Sequence, residues 1–168
     1  MNYRQLDEKD ASDYLQLRLE ALKISPDAFA STLEEALQKD NPIDQTKNRL
    51  NSPTSITFGA IQNDALVGVA TLLLSKNQKL KHKGEVVAVY VTPEFRGAKI
   101  SRELMNQLIA YAKSTNLSHI KLTVVSTNIK AISLYHTLGF EVFGLEKHSM
   151  KDTISGGYID ELLMQMHL

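Results

Sequence analysis

No cysteine occurs among the 168 residues, which excludes disulfide staples, thiolate metal ligands and a cysteine nucleophile, and accords with a reducing compartment. Neither sign of charge is in excess: 19 Lys and Arg balance 19 Asp and Glu, so no net field favours nucleic acid or an anionic membrane surface. No apolar run is long enough to span a bilayer, and the longest, Ala65 to Leu74, is interrupted by Thr71. Met1 to Glu8 lack the apolar centre of a signal peptide, so a cytoplasmic location is expected. The five histidines never fall in a ligand spacing such as His-Glu-x-x-His, and no metal site is expected. Repeats, low-complexity tracts and linkers are also absent, and residues 1–168 read as a single domain large enough to enclose a core.

What is present is periodicity. Tyr3 to Leu6 reads as a first strand, and Ala11 to Lys23 as a helix anchored by Tyr14, Leu15, Leu17, Leu19 and Leu22. Ser25-Pro26 breaks that helix, and Asp27 to Gln38 resumes it. Ile56 to Ile61 and Ala65 to Leu74 form a hairpin around Asn63-Asp64, and the polar stretch Ser75 to Lys83 forms a loop. Glu85 to Val91 is short, rich in β-branched residues and apolar on both faces, the pattern of a central strand. Glu141 to Lys147 and Tyr158 to Met166 are two further strands joined through Gly156-Gly157.

Two segments carry chemistry. The strand from Glu85 stops at Thr92-Pro93, passes through Glu94-Phe95-Arg96-Gly97-Ala98-Lys99, and enters a helix with Ile100, Leu104, Leu108 and Ala112 on its apolar face, Met105, Ile109 and Tyr111 beside them. A loop that opens into a helix leaves the first backbone N–H groups unpaired at the positive end of the helix dipole, which suits phosphate oxygens. On this segment alone, an Arg-Gly turn that binds nothing is an equally open reading. The second segment is the strand Ile120 to Val125, then Ser126-Thr127-Asn128, then a short helix with Ala131, Leu134, Tyr135 and Leu138 on one face, closed by Gly139-Phe140. Asn128 or Thr127 suits its N-cap, and Gly139 suits the left-handed position after its last turn.

Together, Val86 to Val91, Thr92-Pro93-Glu94-Phe95-Arg96-Gly97 with its helix, and Asn128 with Ala131 to Phe140 resemble the GNAT superfamily of acetyl-CoA-dependent N-acetyltransferases. The resemblance is strong over the C-terminal half and rests on element order in the N-terminal half. It implies an α/β, single-domain GNAT-like fold: a central mixed, largely antiparallel twisted sheet flanked by helices, in the order β-α-α-β-β-β-α-β-α-β-β. It also implies transfer of an acetyl group from acetyl-CoA to a primary amine of a small molecule. With no cysteine to carry the acetyl group, direct attack in a ternary complex is the simpler route. A protein or peptide N-terminus as acceptor, and a non-catalytic acetyl-CoA-binding module, are the alternatives. Nucleic acid and membranes are not expected as partners, and a homodimer is compatible with the resemblance.

By resemblance, Val89, Tyr90 and Val91 position the acetyl arm, and Arg96, Gly97, Ala98, Lys99, Ile100, Ser101 and Arg102 hold the pyrophosphate. Asn128 caps its helix, hydrogen-bonds the pantetheine arm, or does both. Tyr135 falls at the family's general-acid position; a phenol with an ordinary pKa of about 10 is close to an alkyl thiol, while the alternative reading is a core aromatic. Glu85 is the candidate base, or else a strand-edge carboxylate facing solvent. The family's loop reads Arg or Gln, two residues, Gly, one residue, then Gly or Ala, whereas here Lys99 stands at the middle Gly and Ser101 at the last position. Lys99 therefore adds a Cβ where the backbone nears the pyrophosphate, so either the loop keeps ordinary helical angles there or the cofactor sits differently. The acceptor is implied to lie between Leu19 to Asp40 and His148 to Tyr158. There, Glu20, Asp27, Glu34, Glu35, Asp40 and Asp152 favour a cationic amine or form a solvated face.

Overall fold

The chain, described over residues 1–168 in a computed structural model, begins with β1 (Asn2–Gln5). A capping box between Asp7 and Asp10 then leads into α1 (Ala11–Ile24). α1 buries Ala11, Tyr14, Leu17, Ala21 and Leu22, the helical spacing of a face pressed on a sheet. The helix expected from Asp27 to Gln38 is not continuous: Pro26–Ala28 is one tight turn, Phe29 is extended (φ −135°), and α2 spans only Leu33–Leu37. A second capping box, Thr32 with Glu35, starts α2 afresh and accounts for the break. α3 (Pro42–Leu50) lies where the periodicity assigns no element; Asn41 in the left-handed region (φ 47°) and Pro42 at the first helical position mark its start.

β2 (Ser55–Gln62) and β3 (Ala65–Leu74) form the expected hairpin, with Asn63 and Asp64 both at positive φ, as a tight two-residue turn requires. β4 (Lys83–Val91) pairs antiparallel with β3, and α4 (Ile100–Ser114) crosses over to β5 (His119–Val125), which runs parallel to β4. α5 (Ile129–Leu138) leads to β6 (Glu141–Lys151) and β7 (Tyr158–His167), and β7 inserts between β5 and β6. The result is one seven-stranded sheet, ordered β1-β2-β3-β4-β5-β7-β6, antiparallel except at the β4–β5 seam.

Two hydrophobic clusters cover the faces of this sheet. The larger, of 20 buried residues, joins α4 to β2–β5 and β7, and the smaller, of eight, joins α1 and α3 to Val69 and Tyr90. A bulge in β4 decides which side chain reaches which cluster. Val69 pairs with Tyr90 but Thr71 pairs with Val87, so Ala88 and Val89 together stand opposite Ala70, and Ala88 takes a left-handed φ of 54°. Before the bulge, Gly84 and Val86 face the larger cluster; after it Val89 and Val91 do, and Tyr90 is turned into the α1 layer. On its other side, β4 pairs with β5 only from Lys83–Glu85 to His119–Lys121. Beyond that point the strands part, and the backbone of Val86–Val91 has no strand partner on the β5 side.

A left-handed conformation costs an L-residue about 1–2 kcal/mol, more when the side chain is β-branched. Ala88→Val is therefore expected to lower stability by about 2 kcal/mol, and Ala88→Gly to leave it unchanged or raise it by up to about 1 kcal/mol. Urea midpoints at constant slope read both effects.

Candidate active site

The parted strands open a cleft of about 850 Å³ between Val86–Val91 of β4 and Leu122–Val125 of β5. The loop before α4 closes one end. Gly97 (φ 88°) and Lys99 (φ 60°) are both left-handed, and none of the Gly97, Ala98 and Lys99 N–H groups donates to a backbone carbonyl. The first N–H groups of α4 have no helical partner either, so together these donors form a concave, electropositive nest of the kind that takes an anion. A Cβ added at Gly97 would meet nothing within 4 Å, which leaves this side of the loop open to a ligand. The loop therefore does not keep ordinary helical angles at Lys99; an exposed lysine holds the conformation that glycine would hold without strain.

Side chains fix the loop from both sides. Arg96 Nε donates to the Val91 carbonyl at 3.0 Å, with its guanidinium 5.6 Å from the Tyr90 ring centroid, which ties the loop to the end of β4. Arg102 Nη2 donates to Thr137 Oγ1 at 2.7 Å and ties α4 to α5. Asn128 Oδ1 accepts from the Ala131 N–H at 3.2 Å, so the N-cap role expected of it is present, while the residue also lines the cleft. Of the residues expected to hold a cofactor, Ala98 alone stays off the cleft wall; Val89, Tyr90, Val91, Arg96, Gly97, Lys99, Ile100, Ser101, Arg102, Asn128 and Tyr135 all lie on it.

Tyr135 is 7% exposed, packed against Phe140 with ring centroids 5.9 Å apart. Its hydroxyl has no hydrogen-bond partner in the protein yet is not sealed from the cleft, and burial pushes the phenol up to about 12. Tyr90 differs. Its hydroxyl donates to Glu20 Oε1 at 2.9 Å, and burial, followed by the Glu20 carboxylate, pushes it up to about 12.

The carboxylates fall differently from the expectation. Glu85 sits on the last paired rung of the β4–β5 ladder, 3.3 Å from Lys121 Nζ, and does not line the cleft. The carboxylate on the wall is Glu161 of β7, whose Oε2 accepts from Ser149 Oγ at 2.5 Å. Glu20, Asp27, Glu34, Glu35, Asp40 and Asp152 are all off the wall; at that end the charged groups are Arg18 of α1 and Arg49 of α3, with Phe29 between α1 and α2. A signal for these was present. Arg18 follows Tyr14 by four residues and precedes Ala21 by three, a buried-stripe position, and Glu161 interrupts an apolar strand. No group of three or more His, Asp or Glu is arranged to hold a metal ion, and no helix is long and apolar enough to cross a membrane.

Residues 20–140 match the acetyltransferase (GNAT) family. N-alpha-acetyltransferase 30 of Dictyostelium discoideum is 33% identical over 112 residues, covering 66% of this chain and 59% of that protein. Among solved structures, the acetyltransferase of GNAT family from Streptococcus pneumoniae superposes with a TM-score of 0.86 at 20% identity over 99% of both chains. The yncA protein of Salmonella typhimurium, solved with its cofactor acetyl-CoA, superposes with a TM-score of 0.84 at 22% identity over 100% of this chain and 94% of that one. The chain belongs to the GNAT acetyltransferase family and has its fold. It spans less than two thirds of the length of the curated relatives it matches.

Lys99→Gly is expected to stabilise the protein by about 0.5–1 kcal/mol, the left-handed cost less glycine's additional unfolded-state entropy. Lys99→Ala keeps the strain and should leave stability unchanged. Scanning calorimetry separates the two, since each kcal/mol moves the midpoint by about 2–4 °C at this size.

Proposed function

We propose that the protein is a cytoplasmic N-acetyltransferase that moves an acetyl group from acetyl-CoA to a primary amine of a small molecule by direct attack in a ternary complex. The observation that carries this reading is a strand whose backbone is left open along Val86–Val91, running straight into a left-handed loop and a helix N-terminus. An extended ligand arm with amide groups can pair with that open backbone as a strand would, and a pyrophosphate suits the nest at its end. The residues fit the group: Gly97 leaves open space, and the Tyr135 hydroxyl is unpartnered at the cleft.

When bound, acetyl-CoA supplies a thioester; attack by the amine forms the C–N bond, breaks the C–S bond and leaves the electron pair on sulfur. Val89, Tyr90 and Val91 orient the arm, and Arg96 to Arg102 hold the diphosphate. Tyr135 holds the proton that the leaving sulfur takes. Its phenol is a weaker acid than in water, but the same desolvation raises the basicity of a thiolate beside it, so donor and acceptor move together. The proton lost by the amine needs a base on the cleft. Glu161 has that position, whereas Glu85 is committed to Lys121 outside the wall. The similarity to a protein named N-alpha-acetyltransferase 30 supports a second acceptor class, a peptide N-terminus.

Acetyl-CoA at about a hundredfold over its dissociation constant is expected to stabilise the fold by about 2.7 kcal/mol. No shift in melting temperature at millimolar acetyl-CoA would remove the reading altogether. Thiol release against small amines and N-terminal peptides then decides the acceptor class, and stabilisation by acetyl-CoA with no thiol release for any amine would point to a binding module. Tyr135→Phe should keep acetyl-CoA affinity and slow transfer by roughly ten- to ten-thousandfold. Since ionising the phenol abolishes its role and its pKa stands at about 12, no alkaline loss of rate through Tyr135 is expected below pH of about 11. Glu161→Gln should slow transfer more than Glu85→Gln; the reverse order would restore Glu85 as the base.

A further inference from the structure

The α1–α3 end of the cleft holds a set of donors with nothing to donate to. Arg18 and Arg49 both line the cleft, and neither is ion-paired; the pairs in the structure are Arg4–Asp10, Lys47–Asp44 and Lys121–Glu85. Each guanidinium instead lies over an aromatic ring, Arg18 at 4.5 Å from the Phe29 centroid and Arg49 at 5.8 Å from that of Tyr14. Tyr14 is 3% exposed, and its hydroxyl is buried without any partner. It lines a recess of about 10 Å³ together with Arg18, Phe29, Ala88 and Tyr90, too small for a carboxylate, and does not itself line the cleft, so what Tyr14 offers there is the ring over which Arg49 lies.

A buried hydroxyl without a partner and two neighbouring cations without a counter-charge are each unfavourable in isolation. Burial lowers the Arg18 pKa; the Tyr14 phenol partly restores it, and the charge of Arg49 lowers it further. An anion in the cleft would supply the counter-charge that both guanidinium groups lack. Guanidinium N–H pairs match the two oxygens of a carboxylate in one plane. The wall carries its opposite charge elsewhere, at Glu161 of β7.

We propose that the acceptor is a small molecule carrying both an amine and a carboxylate, as a free amino acid does, with Arg18 and Arg49 holding its carboxylate. The proposal rests on the N-acetyltransferase reading for the fate of the amine, but the carboxylate site stands on its own geometry. It also replaces the cationic acceptor that the acidic residues of the helices suggested, since the cleft wall excludes those residues.

The test compares free L-amino acids with their own carboxamides, with simple alkyl diamines and with short peptides, in two assays. One is thiol release from acetyl-CoA; the other is the melting temperature with saturating CoA present, which reads binding without chemistry. The free acids should be favoured over the matching amides by about ten- to hundredfold in kcat/KM, and they alone should raise the melting temperature. Arg18→Met and Arg49→Met should each raise KM for the acid by about ten- to hundredfold while keeping acetyl-CoA affinity. Unliganded melting temperatures of the variants establish that they fold, and the acid–amide comparison on the unaltered protein needs no variant.

Amides or diamines that serve as well as acids would overturn the proposal while leaving the acetyltransferase reading intact. So would a peptide preference, or an acid preference that survives both arginine substitutions. Amino acids that bind and raise the melting temperature but accept no acetyl group would overturn them as acceptors, and the enzyme reading falls with them only if no amine in the panel releases thiol.

Discussion

The constraint on which this structure depends is that backbone N–H and C=O groups inside a sheet must find partners. Along β4 they do so on the β3 side on both flanks of the bulge at Ala88–Val89, and on the β5 side only as far as Glu85. From Val86 onward the sheet has an edge in its own middle. An exposed edge is ordinarily a liability that proteins cover or charge. Here it lies inside a cleft lined by α5, the loop before α4 and the β6–β7 hairpin. The proposed use of the cleft follows from that placement more than from any single side chain.

Two L-residues in left-handed conformation flank the end of this edge, Ala88 within it where the strand bulges and Lys99 beyond it where the loop turns into α4. Neither is glycine. Conformations of this kind persist only where the surroundings over-determine them, and they gather where a protein needs a particular backbone shape. Ala88 is held by pairing to β3 on both sides of the bulge, and Lys99 by the first helical hydrogen bond, from the Glu103 N–H to its carbonyl at 3.1 Å. The bulge also swaps the faces of β4, and this is why Tyr90 reaches Glu20 on α1 and does not enter the larger cluster.

Much of this was legible in the sequence, and the reason is local. The α4 and α5 units carry their own caps, turns and apolar stripes, so their positions and the wall they form could be read from neighbouring residues. Asn128, Gly139 and the Arg96-Gly97 loop fall where local rules put them. The break between Ala28 and Leu33 and the start of α3 were local too, in the Thr32/Glu35 box and in Asn41-Pro42, but the charged run around them resembled one continuous helix. Glu85, Arg18 and Glu161 were legible only in part, since the pattern marks Arg18 and Glu161 as unusual without saying what they face. Whether a charged residue faces solvent, a partner or a cleft depends on the bulge and on where two strands part, and both are set by contacts far apart in the chain. The left-handed Lys99 belongs with these, because its own residue type argued against the conformation it holds.

The two hydrophobic clusters differ in more than size. Eight buried residues hold α1 and α3 to the sheet, against 20 beneath the opposite face. Free energy of local opening scales with what must be uncovered, so the α1–α3 layer is the part of the molecule able to lift while the remainder stays folded. Amide exchange there should follow a sub-global route with its own, lower protection, distinct from that of α4, β5 and β7. The layer that carries Arg18 and Arg49 is thus the one whose opening uncovers the least apolar surface, while the strand with the open edge stays anchored in the larger cluster through Val86 and Val91.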